Sequence, residues 1–264
     1  MKTESITKWI ALAELSCADL KINHIDIIID QAGNDFSLIP TLASFEFSVQ
    51  WCSLFTTLPE EILLEDAPLL IRIDLSNTLQ RQWLNELTAQ FAGSGQLLML
   101  CSAWSFNNLS DYLIRCTDVI CGSQEGILRF YDTRIFPVLF SHILDTEQKK
   151  TLLRPAIFWS WLDREGQPCQ IPGNGSSLKA DDKKPRIELS DQQLEKLMCI
   201  CDVNLLLRHL IVPAQYVMSQ EELFSLCYEG MLAATLAGLL LDDEREDFVK
   251  KFILTSEIKQ TEIS

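Results

Sequence analysis

Up to about residue 171 the chain alternates apolar runs with clusters of turn-forming residues. Ile25 to Asp30, where Ile27-Ile28-Ile29 closes on Asp-Gln-Ala-Gly, has the pattern of a buried strand entering a turn. Ala67 to Ile73 is a second such run. It follows a helix start at Pro59-Glu60-Glu61 and precedes Leu79 to Phe91, where apolar residues at 79, 83, 84, 87 and 91 keep the spacing of one helix face. Gly93-Ser94-Gly95 breaks that helix, Gln96 to Cys101 reads as another buried strand, and Leu109 to Ile114 as a helical stretch. Thr117 to Cys121 and Ile127 to Tyr131 are β-prone runs flanking Gly122-Ser123-Gln124-Glu125-Gly126, a loose hairpin at which the sheet is expected to become mixed. A helix is expected over Arg134 to Ile143. A second hairpin joins Ile157 to Leu162 with Pro168 to Ile171, placing Trp159 and Trp161 on one face.

The pattern changes after Pro172. Residues 172–185 contain Pro172-Gly173-Asn174-Gly175 and no apolar period, the composition of a linker. Beyond them, Ser190 with Gln193 and Ser219 with Glu222 match the capping box, in which a hydroxyl and the side chain three residues on satisfy each other's orphan amides. The first helix so started carries Leu194, Leu197, Met198, Cys201 and Leu205 on one stripe. In the second, Gly230, Ala234 and Gly238 recur every four residues as a groove, while Met231, Leu232, Thr235, Leu236, Leu239 and Leu240 cover most of the remaining surface. A helix apolar all round demands cover, either from the α/β lobe or from an external apolar helix. A third helix is expected over Asp242 to Leu254. The expected architecture is therefore an α/β lobe over residues 1–171 with a mixed sheet and flanking helices, a linker over 172–185, and a smaller all-helical lobe over 186–264.

Charge narrows the function classes. Asp plus Glu number 37 against 22 Lys plus Arg, a formal net charge of -15, which disfavours nucleic acid and anionic membrane surfaces as partners. Nine cysteines, an odd number set mostly among apolar neighbours in a chain of 264 residues, read as free thiols in a reducing cytoplasm. The longest apolar run, Met231 to Leu241, is shorter than the roughly 18 residues needed to cross a bilayer, and no secretion signal is evident, so a soluble cytoplasmic protein is expected. There is no Walker loop, G-x-G-x-x-G, G-x-S-x-G or H-E-x-x-H, and the cysteines and three histidines lack zinc-ligand spacing. The acidic pairs Glu60-Glu61, Asp181-Asp182, Glu221-Glu222 and Asp242-Asp243 sit at expected helix starts or in the linker, where helix dipoles and solubility explain them. No catalytic residue, cofactor or metal is expected.

One segment stands apart. In Arg129-Phe130-Tyr131-Asp132-Thr133-Arg134, a strand ending at Tyr131 would put Arg129 and Tyr131 on one sheet face and Phe130 on the other, with Asp132 placed to cap a helix beginning near Thr133. The arginines and aspartate either lock that corner or meet a partner directly.

The stretch Ile127-Leu-Arg-Phe-Tyr-Asp-Thr-Arg-Ile135, followed by Leu139, Leu144, Gln148, Pro155, Trp159 and Asp163-Arg-Glu-Gly166, resembles the hallmark of the type VI secretion effector adaptors. This family, also called effector chaperones, was long listed as a domain of unknown function. Ile28-Ile-Asp30, Ser53-Leu-Phe55, Ala67-Pro68-Leu-Leu70 and Ser110-Asp-Tyr-Leu-Ile-Arg115 agree with it, so the resemblance covers about residues 25 to 170. Family members commonly carry proline at the place of Thr133 and glycine at that of Arg154, while Arg129, Asp132 and Arg134 are kept. The resemblance implies a cytoplasmic, non-enzymatic protein that binds the N-terminal region of a toxin effector and loads it onto the secretion spike protein. Candidate contact residues are Arg129, Tyr131, Asp132 and Arg134 in the motif, with Leu232, Leu236 and Leu240 on the apolar helix. An immunity protein that neutralises a toxin through its acidic surface, or a hydrolase with a dispersed carboxylate site, are the competing readings.

Overall fold

The computed structural model describes residues 2–44, 49–177, 186–211 and 218–261, which divide into two compact units, Met1–Leu189 and Ser190–Ser264. The chain order is α1 (Lys2–Asp19), β1 (His24–Asp30), α2 (Ile39–Ser44), β2 (Gln50–Ser53), β3 (Pro68–Asp74), α3 (Thr78–Phe91), β4 (Leu97–Cys101), α4 (Phe106–Thr117), β5 (Asp118–Cys121), β6 (Gln124–Ile127), α5 (Phe136–Val138), α6 (Thr146–Leu153), β7 (Phe158–Leu162), β8 (Pro168–Pro172) and β9 (Ile187–Leu189). The second unit holds α7 (Asp191–Leu206), α8 (Gln220–Leu236) and α9 (Asp242–Thr261).

The first unit is built on a six-stranded antiparallel sheet of order β2-β3-β1-β4-β7-β8. Its central strands are buried on both faces and mostly apolar because both faces are covered. On one face Ile25, Ile27, Ile29, Leu69, Ile71, Ile73, Leu97 and Met99 are buried with Trp9, Ile10 and Ala13 of α1 and Trp83, Leu84, Leu87 and Phe91 of α3. Trp9 also donates its indole N–H to Ser160 Oγ at 2.7 Å. Side-chain alternation puts Asp26, Ile28, Asp30, Leu100, Trp159 and Trp161 on the other face. There Phe136 lies 5.3 Å, centroid to centroid, from both Trp159 and Trp161, as their expected common face requires.

The mixed pairing expected near residue 120 exists, but in a separate three-stranded sheet where β5 pairs antiparallel with β6 and parallel with β9. β9 thus joins the first unit, although it falls in the stretch expected to be wholly helical. The expected strand over 127–131 ends at Ile127. Leu128 N–H donates to the Thr117 carbonyl, and the chain then turns. Phe130 and Tyr131 are both buried. Consecutive strand residues point to opposite faces, and on the outer strand of a small sheet one ring would have stayed in water. The helix expected from Arg134 starts at Phe136 and continues as a π-turn over Leu139–Ile143, while the start expected at Pro59 is a single 3-10 turn, Pro59–Ile62.

The opening of the expected linker is packed structure. Gly173 N–H donates to the Ile157 carbonyl, Asn174 N–H to Leu153 and Gly175 N–H to Ala156, and a Cβ at Gly173 would overlap the Ala156 carbonyl oxygen. Residues 178–185, including the Asp181-Asp182 pair, lie outside the described residues.

In the second unit both capping boxes form, Ser190 with Gln193 and Ser219 with Glu222. The stripe expected on α7 is not the buried one. Cys199, Ile200, Val203 and Leu206 are buried, whereas Met198 and Leu205 are exposed. Apolar residues surround this helix, and α8 meets the side with the smaller side chains, where Cys199 Sγ lies 3.4 Å from Thr235 Oγ1. Arg245 of α9 reaches Asp202 of α7 at 2.6 Å. The small-residue groove is split between two roles. Gly230 faces the Phe252 ring, so α9 of the same unit covers it. Gly238, at φ +75°, ends α8 in a Schellman turn, with Gly238 N–H bonded to Thr235 O and Leu239 N–H to Ala234 O.

Candidate functional site

Two places gather the residues singled out in the sequence. The first lies at one end of the six-stranded sheet, where β1 finishes and β4 begins. Asp30, the last residue of β1, is only 2% exposed, and its carboxylate accepts from Ala32 N–H at 3.1 Å and from the Arg129 guanidinium. The Arg129 side chain is 44% exposed even though its guanidinium is committed to Asp30. Asp132 binds Arg134 twice through side chains, at 2.9 and 2.6 Å, and accepts Arg134 N–H at 2.9 Å, an Asx turn in place of the expected helix cap. Arg134 lies over Gly95, where a Cβ would come within 2.9 Å of Arg134 Cγ, and Thr133 N–H donates to the Gly95 carbonyl. Arg164, just past β7, donates to the Arg134 carbonyl at 3.1 Å. Tyr131 is buried beside Phe130, which packs edge-on against Trp159.

Burial dominates the electrostatics of this corner. It raises the Asp30 carboxyl above its ordinary value despite the opposing pull of Arg129, and it pushes the Tyr131 phenol up, with the Asp30 charge adding to that shift. The two arginines are held further on the charged side, Arg129 by Asp30 against the cost of burial and Arg134 by its bonds to Asp132. A second buried pair lies on the same face of β1. Arg72 forks onto Asp26 at 2.7 and 2.8 Å, donates to the Trp104 carbonyl and stands over the Phe106 ring. Asp26 and Asp30 are four residues apart on one strand, roughly 13 Å. Each carboxylate therefore serves its own arginine.

The second place is the tip of α8. Leu236, its last residue, is 89% exposed and Leu240, beyond the Schellman turn, 86%; Leu241 is exposed as well. Leu232 is half-buried on α8 itself. The helix end at Gly238 therefore separates Leu240 from the stripe on which it was expected, leaving an apolar tip followed by Asp242, Asp243 and Glu244.

Residues 27–150 match the family model Domain of unknown function (DUF4123). No curated protein and no solved structure matches the chain. The DUF4123 match runs from β1 into α6, taking in Asp30, Arg129, Asp132 and Arg134. It stops before Trp159 and Asp163-Arg-Glu-Gly166, so it is shorter than the stretch over which the motif pieces were read, and it leaves out the second unit.

The structure brings Arg129, Tyr131, Asp132 and Arg134 into one cluster and adds Asp30, Gly95 and Arg164, which stand in the quoted sequence pieces but not among the candidate contact residues. Asp30 carried a signal, an acid closing a strand of three isoleucines, but its partner lies 99 positions away. The corner ties segments together, Arg129 to Asp30, Thr133 to Gly95 and Arg164 to Arg134, with the Arg129 side chain partly exposed.

Proposed function

We infer that the protein is a non-enzymatic adaptor, an effector chaperone of type VI secretion that holds the N-terminal region of a toxin effector in the cytoplasm and delivers it to the spike protein. The DUF4123 family is linked with type VI secretion effector chaperones, and the match includes the arginine and aspartate corner on which the sequence resemblance rests. The observation that carries the reading is the apolar tip of α8. Leucines as exposed as Leu236 and Leu240 forgo burial that would stabilise the chain, and an apolar patch bordered by acids is the surface expected of a protein that shields another polypeptide. Among the described residues no helix is long and apolar enough to cross a membrane, in keeping with a chain that meets its partners in water.

The test is co-expression of the tagged protein with a type VI effector supplied as separate N-terminal and toxic parts. Retention of the N-terminal part, lost in Leu236→Asp/Leu240→Asp while the protein stays folded, supports the reading. Retention of the toxic part alone would favour an immunity protein, a role that the acidic charge could also serve.

A further inference from the structure

Between Lys21 and Arg72 the chain contains no Lys or Arg. Within that stretch the segment between β2 and β3 presents Ile62-Leu63-Leu64 to solvent, with Ile62 88% exposed and both leucines exposed as well. Three consecutive exposed apolar residues are costly to keep unless they meet something. Glu60 and Glu61 precede them, Glu65 and Asp66 follow, and among the described residues none of these four carboxylates has an ion-pair partner.

The projection is held in shape. Buried Gln31 donates to the Leu64 carbonyl at 3.3 Å and the Ala67 carbonyl at 3.0 Å, while its own carbonyl accepts Leu38 N–H at 2.6 Å. Leu63 N–H returns to Glu60 O and Asp66 N–H to Leu63 O, closing successive tight turns. The segment is entered through Thr57, a β-branched residue at φ +68°, whose N–H donates to Glu61 Oε2. A strained entry and a buried amide clamp fix an apolar knob outside the core of the first unit.

We propose that Glu60 to Asp66 is a docking knob for a basic amphipathic segment of a partner protein, one whose apolar side chains are flanked by Lys or Arg. Charge complementarity selects this occupant: the knob's leucines and isoleucine meet the apolar stripe, and its four carboxylates meet the flanking cations. The inference stands apart from the reading of the α8 tip, which belongs to the second unit.

The probe is a synthetic helical peptide with leucines on one stripe and lysines elsewhere, titrated calorimetrically into the full chain beside a counterpart with glutamate for lysine. The lysine peptide binds and the glutamate peptide does not. Ile62→Ser/Leu63→Ser weakens binding about tenfold or more, as removal of a central apolar anchor does. Glu65→Lys/Asp66→Lys weakens it as well and gains affinity for the glutamate peptide, while Leu79→Ser, at another exposed leucine of the first unit, leaves it unchanged. All these side chains are exposed, so circular dichroism should show each variant folded. The proposal is overturned if the lysine peptide fails to bind, if Ile62→Ser/Leu63→Ser binds it as tightly as the parent, if Leu79→Ser abolishes binding, or if the knob substitutions change binding to anionic phospholipid vesicles instead.

Discussion

Replacing Arg129 by alanine removes the only side chain that, among the described residues, neutralises Asp30. The carboxylate is almost wholly buried and would keep one donor, Ala32 N–H. Stranding a fully buried charge in this way costs about 3 to 5 kcal/mol; because Arg129 is 44% exposed, water enters the vacated space and the loss shrinks to about 2 kcal/mol. Asp30→Asn removes the charge with the pair and leaves an amide that still accepts Ala32 N–H, costing about 1 kcal/mol. The double substitution should then cost little more than Asp30→Asn alone. All six tryptophans lie within residues 1–189, so their fluorescence during urea unfolding follows the first unit without signal from the second. The Arg129→Ala penalty should also grow with pH, since a protonated Asp30 needs no guanidinium. An Arg129→Ala protein within about 0.5 kcal/mol of the parent, or one more stable than Asp30→Asn, would refute the view that this corner holds the fold.

Asp30 and Asp26 both have folded-state values raised above the ordinary carboxylate by burial. Their contribution to stability is complete below the unfolded value near 3.8 and is lost as pH rises through the raised folded values, so Asp30→Asn should show a shallower decline with pH than the parent; parallel profiles would contradict this. Gly173→Ala forces a methyl onto the Ala156 carbonyl oxygen and should destabilise the first unit by about 3 kcal/mol, while Gly126→Ala, whose methyl meets nothing within 4 Å, should stay within about 0.5 kcal/mol, both read by urea unfolding.

Local chemistry made much of this fold legible. The isoleucine run of β1, the apolar runs of β3 and β4, the Trp159 and Trp161 face and the two capping boxes are signals carried within a few residues. α1 is not legible in the sequence because its buried face mixes Trp9 and Ile10 with the small Ala13 and Cys17, and charged residues interrupt the stripe. β9 is three residues long and gains meaning only beside β5, some 68 positions earlier in the Val119 and Ile187 register. Spacing alone places Gly238 in a groove because it cannot distinguish a packing glycine from a helix terminus; the positive φ decides for the latter. The Arg129 to Arg134 motif was visible as residue types, but its lock depends on Asp30, Gly95 and Arg164, which only the folded sheet brings to one end.

The central claim is that the protein works by holding another polypeptide, and its most direct measurement is the affinity of the purified full chain for the N-terminal region of a type VI effector, with the spike protein added afterwards. The account predicts saturable binding of the N-terminal region, abolished by Leu236→Asp/Leu240→Asp in a folded protein, and recruitment of the spike protein to the resulting complex. Binding confined to the effector's toxic part, or binding of neither effector nor spike, would contradict it.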